Sequence, residues 1–199
     1  MDDVQQRISE DLAGLFQGEL RFDDATRQAY ATDASLYEVL PLGVAAPRHQ
    51  ADVELLARYA HENSIPLIAR GAGTGLAGGA LGTGLIVDFS CHLRKIVRID
   101  SDSVVVEPGV VREQLNLRLR EFGRYFAPDP SNSSVTTIGG MIGVDAAGSH
   151  AARVGSTRDH VQSLRGVLAG GSAIEMGPVL LATATAQPAA EASPERLQQ

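Results

Sequence analysis

The chain has 199 residues, 44% hydrophobic and 21% charged, with a formal net charge of −7 and one lysine, Lys95, beside sixteen arginines. That length supports one domain or two small lobes with a real core, and an acidic balance without a basic stripe argues against a nucleic-acid partner. A single cysteine, Cys91, excludes an internal disulfide framework and any multi-cysteine metal or iron–sulfur site within the chain.

The N-terminus, Met1-Asp2-Asp3-Val4, is acidic and has no signal-like apolar stretch, and no run approaches the roughly 20 apolar residues of a transmembrane helix. A cytoplasmic protein is the expectation. Residues 4–16 carry Val4, Ile8, Leu12 and Leu15 at helical spacing. Residues 21–47 read as a long connection with a short strand at 43–46. Residues 52–63 form a second helix with Val53, Leu56, Ala57 and Ala60 on one face. Residues 66–70 then read as a buried strand and residues 85–88 as another, so strand–helix–strand order favours a small parallel α/β lobe.

From Lys95 the pattern changes. Residues 96–99 and 104–107 flank Asp100-Ser101-Asp102, a composition suited to a hairpin turn. Residues 111–122 are an amphipathic helix with Val111, Leu115, Leu119 and Phe122 on one side. Arg112, Arg118, Arg120 and Arg124 read as its solvated face. Residues 161–168 and 173–176 are strands around a Gly170-Gly171 turn. Beyond Leu181 the sequence lacks periodicity, and a disordered tail over 182–199 is expected. A sheet ending in an unpaired strand has an exposed edge that another chain or further sequence normally covers.

Two glycine-rich segments carry the functional signal. The first, Arg70-Gly71-Ala72-Gly73-Thr74-Gly75-Leu76-Ala77-Gly78-Gly79-Ala80, contains a literal GxGxxG. It is not a Rossmann fingerprint, because Gly78, Gly79, Gly82 and Gly84 occupy the helix that should follow, each costing about 1 kcal/mol there relative to alanine. The acidic residue expected about 20 positions on is also missing. What remains is a loop whose successive amides can form an anion-binding nest, with Thr74 as a hydroxyl donor and Arg70 either in the site or anchoring the loop. In the second segment Pro128, Asp129, Pro130 and a run of Ser and Thr lead through Gly139-Gly140 to Ala146-Ala147-Gly148-Ser149-His150. Prolines and hydroxyls fix an irregular backbone, and the small residues permit approach to a flat ring. Two such loops suit a long ligand with a phosphate centre and an aromatic end. The histidines His49, His61, His92, His150 and His160 make no i,i+4 pair on a helix, so no metal is expected. His150 reads as a hydrogen-bonded structural histidine and Cys91 as a small buried residue.

Over residues 28–177 the chain resembles the FAD-linked oxidases of the vanillyl-alcohol-oxidase and p-cresol-methylhydroxylase type, with its nearest look to D-lactate, glycolate and D-2-hydroxyglutarate dehydrogenases. The resemblance rests on Tyr30-Ala31-Thr32-Asp33-Ala34-Ser35, Pro41-Leu42-Gly43-Val44, residues 70–80, Pro128-Asp129-Pro130, Thr137-Ile138-Gly139-Gly140, Ala146-Ala147-Gly148-Ser149-His150 and Gly155-Ser156-Thr157-Arg158-Asp159-His160-Val161. It implies an α+β, two-lobed FAD-binding domain: a small parallel α/β lobe over 28–94, then an antiparallel sheet with flanking helices over 95–181, preceded by a helical segment over 1–27. It implies that Arg70, Gly71, Ala72, Gly73, Thr74, Gly75, Leu76, Gly78 and Gly79 surround the FAD pyrophosphate. Pro128, Asp129, Ser133, Ser134, Thr137, Ile138, Gly139 and Gly140 would lie along the ribityl and pyrophosphate region, Ala147 and Gly148 would approach the flavin, and Ser149 and Gly155 would be further cofactor-binding residues. Asp33 and Tyr37 are given no chemistry.

Three features depart from the family pattern. Asp145 stands where asparagine is usual, and a carboxylate there would weaken flavin binding or disfavour the anionic reduced form. Leu168-Ala169-Gly170-Gly171 replaces Leu-Ala-Asp-Gly. The later Glu-Gly-Thr-Leu-Gly segment and the substrate domain are absent, so the chain is expected to be truncated at its C-terminus. The resemblance therefore implies the FAD-binding portion of an enzyme oxidising a 2-hydroxy acid to a 2-oxo acid, with substrate reached through a missing C-terminal domain or partner chain and an unknown electron acceptor. The alternative is a non-catalytic, truncated flavin- or nucleotide-binding remnant.

Overall fold

The computed structural model describes residues 2–177, so the tail expected over 182–199 lies outside the described residues. The chain opens with α1 (Asp3–Asp11), started by a reciprocal cap in which Asp2 and Gln5 each bond the other's backbone N–H at 2.9 Å. Its apolar stripe buries Ile8, and Leu12 just beyond it. Residues 21–47, expected as a connection with one strand, hold more structure. β1 (Glu19–Arg21) precedes α2 (Asp24–Tyr30), capped by Asp23 on the Thr26 amide at 2.9 Å, and β2 (Gly43–Ala46) follows. α2 buries no residue completely, so it carries little of the apolar period that reveals a helix in sequence.

After β2 come α3 (Gln50–Glu62), β3 (Leu67–Arg70) and β4 (Leu85–Asp88). The four strands form one sheet in the order β1-β2-β4-β3, with β2, β4 and β3 parallel and β1 antiparallel. Every residue of β2 and β4 is buried. β3, expected to be buried, is instead an edge strand alternating between exposed and half-buried residues. Its run of apolar residues reflects parallel pairing, which sequence does not separate from a central position. Ile8, Leu12, Phe22, Ala45, Leu56, Leu85 and Val87 make the core of this lobe.

The second half begins with the expected hairpin, β5 (Ile96–Ile99) and β6 (Val104–Val106), closed by the Asp100 amide on Ser103 O at 2.8 Å. α4 (Arg112–Arg120) buries Leu115 and Leu119, while Phe122 falls beyond the helix end and is exposed. The glycine-rich second segment forms a short helix, α5 (Ile138–Gly143), capped by Thr137, and a further turn, α6 (Ala151–Val154). The expected strand over 161–168 is shorter: a 3-10 turn spans Thr157–His160, and β7 (Leu164–Val167) pairs antiparallel with β8 (Ala173–Met176). Val110, Leu115, Leu119, Ile138 and Met141 form a second core. Gly171 has φ +82°, and a Cβ there would lie 2.8 Å from Glu54 O, so the glycine lets the β7–β8 turn pack on α3.

One buried carboxylate stitches the first lobe. Asp52 is 3% exposed and accepts from the backbone amides of Gln17 (2.9 Å), Arg48 (2.8 Å) and His49 (3.2 Å). Replacing it leaves three donors without their acceptor. We expect Asp52→Ala to lower unfolding free energy by about 2–4 kcal/mol in a urea titration, with the two-state slope unchanged.

Candidate functional site

The first glycine loop leaves the carboxyl end of β3, where open α/β sheets place their ligands. No helix follows it, in accord with the rejection of a Rossmann reading. Arg70 lies beneath the loop as an anchor. Its guanidinium donates to Tyr30 O (3.2 Å) and Thr32 O (2.8 Å) and stacks over the Tyr30 ring at 5.0 Å. Gly73, at φ +67°, passes directly over it, since a Cβ there would sit 2.7 Å from an Arg70 nitrogen. The Ala34 amide donates to Gly73 O at 3.0 Å, and Gly78 closes on the Tyr37 ring. The segment 30–37, including Asp33 and Tyr37, is therefore the buttress of the loop. Nothing in its spacing signalled this, because the contact is made across the chain by one arginine, three backbone groups of the segment and two tyrosine rings.

Tyr30 is itself fixed. Its hydroxyl donates to Asp88, which is 2% exposed and also accepts from Ser90 N and Oγ and from Cys91 Sγ. Burial, and then the Asp88 hydrogen bond, push the Tyr30 phenol up. Cys91 is exposed rather than buried, yet burial of its sulfur side and the Asp88 charge raise its thiol to about 11. That protonated thiol is a poor nucleophile at neutral pH.

The two glycine-rich segments meet. Gly71 faces Thr137, whose Oγ1 would lie 2.2 Å from an added Cβ, and the hydroxyls of Thr74 and Thr136 are 3.4 Å apart. Thr137 caps α5, with Gly140 N donating to its Oγ1 at 3.3 Å, while Ile138 N and Gly139 N donate to Val110 O and Pro108 O, each at 2.8 Å. Asp129 pairs with Gly148 through a short parallel bridge and its carboxylate takes Ser149 Oγ (3.1 Å), the His150 amide (3.2 Å) and His150 Nδ1. The His150 hydrogen bond is the first cause of a lowered Asp129 pKa. His150 is thus the hydrogen-bonded residue expected, and Asp129 uses its side chain to join two loops. Ala146 O accepts from Thr157, Ala147 O from Asp129 N, and Gly155 at φ +78° leaves room for Asp159. Ser133 Oγ donates to Pro130 O and receives Arg112, while Ser134 and Leu76 are exposed. Asp145 occupies the left-handed region at φ +49°, where Asp and Asn are both tolerated. Its carboxylate is held down first by the Arg158 amide at 2.9 Å and is also paired with the Arg158 guanidinium. The carboxylate at this position is thus paired with a cation of the same chain.

What the loops leave open defines their chemistry. Every backbone N–H of residues 72–80 lacks an acceptor among the described residues, and so do those of 131–134. Gly75 and Gly79 are not at positive φ, and a Cβ on either would touch nothing within 4 Å. Neither backbone strain nor a protein neighbour asks for glycine there, so the space is available to a closely approaching ligand. Unpaired amides favour an anion, and the reach from one loop to the other favours an elongated one. Among the described residues no group of three or more His, Cys, Asp or Glu is placed to hold a metal. Arg112, expected on a solvated face, is half-buried and bonded to the second loop; only its three-dimensional contacts reveal it.

The fold is a two-lobed α+β domain in which two glycine-rich segments, both with free amides, converge. The FAD binding domain family matches residues 41–177. The chain is 44% identical over 174 residues to D-2-hydroxyglutarate dehydrogenase of Pantoea ananatis, covering 85% of this chain and 17% of that protein. It is 35% identical to glycolate oxidase subunit GlcD of Bacillus subtilis, covering 80% of this chain and 35% of that one. Among solved structures, alkyldihydroxyacetonephosphate synthase shares the fold at TM-score 0.76 and 19% identity, over 92% of this chain and 36% of that chain. The 6-hydroxy-D-nicotine oxidase of Arthrobacter nicotinovorans does so at 0.69 and 23%, over 81% and 36%. The chain belongs to the FAD binding domain family, and FAD is its cofactor. It spans about a sixth of the length of the D-2-hydroxyglutarate dehydrogenases it matches. No helix among the described residues is long and apolar enough to cross a membrane.

Two outcomes test the site. Gly75→Ala fills free space, so we expect an unchanged unfolding midpoint but weaker FAD binding by flavin-fluorescence titration; Gly71→Ala, which meets Thr137, loses both. The lowered Asp129 pKa means that its contribution is present above the ordinary carboxylate range and lost as pH falls through the lowered value. His150→Ala is expected to move the Asp129 carboxyl titration, followed by carbon NMR, upward toward its ordinary range.

Proposed function

We propose that this chain is the FAD-holding part of a flavin-dependent oxidoreductase that converts a 2-hydroxy acid of the D-2-hydroxyglutarate, D-lactate or glycolate kind into the 2-oxo acid. The observation that carries the reading is the run of unpartnered amides over 72–80 converging on the Thr136–Gly140 segment. The names of the relatives supply the substrate class. When bound, FAD supplies a hydride acceptor for the α-carbon of the hydroxy acid.

The chain's own residues bind and orient. Amides of Gly71, Ala72, Gly73, Thr74, Gly75, Leu76, Gly78 and Gly79 receive the diphosphate oxygens, over a loop that Arg70 holds from below. Pro128, Asp129, Ser133, Ser134, Thr137, Ile138, Gly139 and Gly140 line the ribityl and diphosphate path. Ala147, Gly148, Ser149 and Gly155 set the small-residue wall near the ring. The same proposal divides the chain into lobes at about residue 94. It takes substrate contacts and the electron acceptor from a C-terminal domain or partner chain, and places the protein in the cytoplasm.

The test is the visible absorption spectrum of the purified chain, with released cofactor identified by mass. A flavin spectrum with stoichiometric FAD is expected. A colourless protein that stays colourless when FAD is added would overturn the proposal.

A further inference from the structure

Arg112 is a cation taken partly out of water without an anion to meet it. Nη1 donates to Ser133 Oγ at 3.1 Å and Nη2 to Phe126 O at 3.3 Å, while Nε is buried with no acceptor. It forms no ion pair among the described residues. All its partners belong to 126–133, the stem of the second loop, whose amides at 131–134 are free.

Arg112 is more than mechanical need requires. Asn116, buried on the same helix, already clamps the stem, accepting from Phe126 N at 2.7 Å and donating to Phe126 O at 3.1 Å. The backbone adds Arg112 N on Thr136 O (3.0 Å) and Glu113 N on Ser133 O (3.2 Å). A neutral donor would serve the carbonyls of the stem as well, whereas a half-buried guanidinium carries a desolvation cost that a nearby anion offsets further. The first loop repeats the arrangement, since Arg70 bonds only carbonyl oxygens and an aromatic face. Each of the two converging loops therefore rests on an uncompensated guanidinium.

We propose that Arg112 is a positioning residue of the cofactor site, which holds the 126–134 loop in place and whose uncompensated charge draws the anionic diphosphate of FAD toward the free amides there. The inference rests on the reading of these loops as the FAD site. It is tested on the 199-residue chain by titrating FAD at low and high ionic strength, following flavin fluorescence. Wild-type affinity is expected to fall with salt. Arg112→Gln is expected to weaken FAD binding about tenfold at low salt and to flatten that salt dependence, as removal of one charge requires. Arg112→Lys restores the salt dependence, and Asn116→Ala weakens binding while leaving it intact. Should Arg112→Gln not fold by circular dichroism, Ser133→Ala decides: with the charge kept, it must retain the wild-type salt dependence, and its loss would refute the proposal. Wild-type affinity and salt response in Arg112→Gln overturn the inference alone, as does Arg112→Lys failing to recover the salt response. Wild type that binds no FAD overturns the reading of the site and this inference together.

Discussion

A loop can keep its amides free of protein partners only if everything else about it is fixed from outside. Unpaired backbone donors are tolerated here because residues 72–80 lie at the surface, but their direction must be set by something other than their own hydrogen bonds. That support runs inward as a relay. Asp88, at the carboxyl end of the buried central strand β4, holds the Tyr30 hydroxyl; the Tyr30 ring and carbonyl hold Arg70; Arg70 carries Gly73. A strand buried along its whole length thereby fixes a segment whose own amides are unpaired, which is what preorganisation of a loop requires.

The second loop is held by a different device. It hangs from α4 through Asn116 and Arg112, and is joined to residues 149–150 through Asp129, whose carboxylate gathers Ser149 and His150. The two loops then share the Thr74–Thr136 hydroxyl contact. A disturbance in either core therefore reaches the site by a separate route, because the first loop answers to the sheet and the second to the helix α4.

How much of this was legible in sequence follows the physics of each signal. β2, β4, α3 and the β5–β6 hairpin were readable, since buried strands, a 3.6-residue apolar period and an Asp-Ser-Asp turn leave local marks. α2 and β1 were not, because α2 buries no side chain fully and β1 is three residues long. α5 was hidden by its glycines, which lower helix propensity while letting the helix lie against Pro108, where a Cβ added at Gly139 would sit 2.6 Å from the Pro108 Cβ. The candidate site divides the same way. Glycine clustering marks where the backbone is left open, as at Gly75, where an added Cβ would meet nothing within 4 Å. Which side chains support the loops, as with Tyr30, Asn116 and Arg112, depends on contacts across the fold that no spacing records.

Net charge is a similarly poor guide to the site. A chain of charge −7 is an unpromising host for a diphosphate if charge is averaged over the molecule. At the distance of a Debye length or less the local arrangement decides. Asp129 is taken up in hydrogen bonds from Ser149 and His150, and the charge of Asp145 is paired with the Arg158 guanidinium. Arg70 and Arg112 have no carboxylate partner among the described residues, and both lie under the loops with free amides. The acidic excess sits elsewhere, on exposed residues such as Asp3, Glu10 and Asp24, where water screens it. Acidity overall and a locally positive cradle are therefore compatible, because Asp145 is paired with Arg158 while Arg70 and Arg112 meet no carboxylate among the described residues.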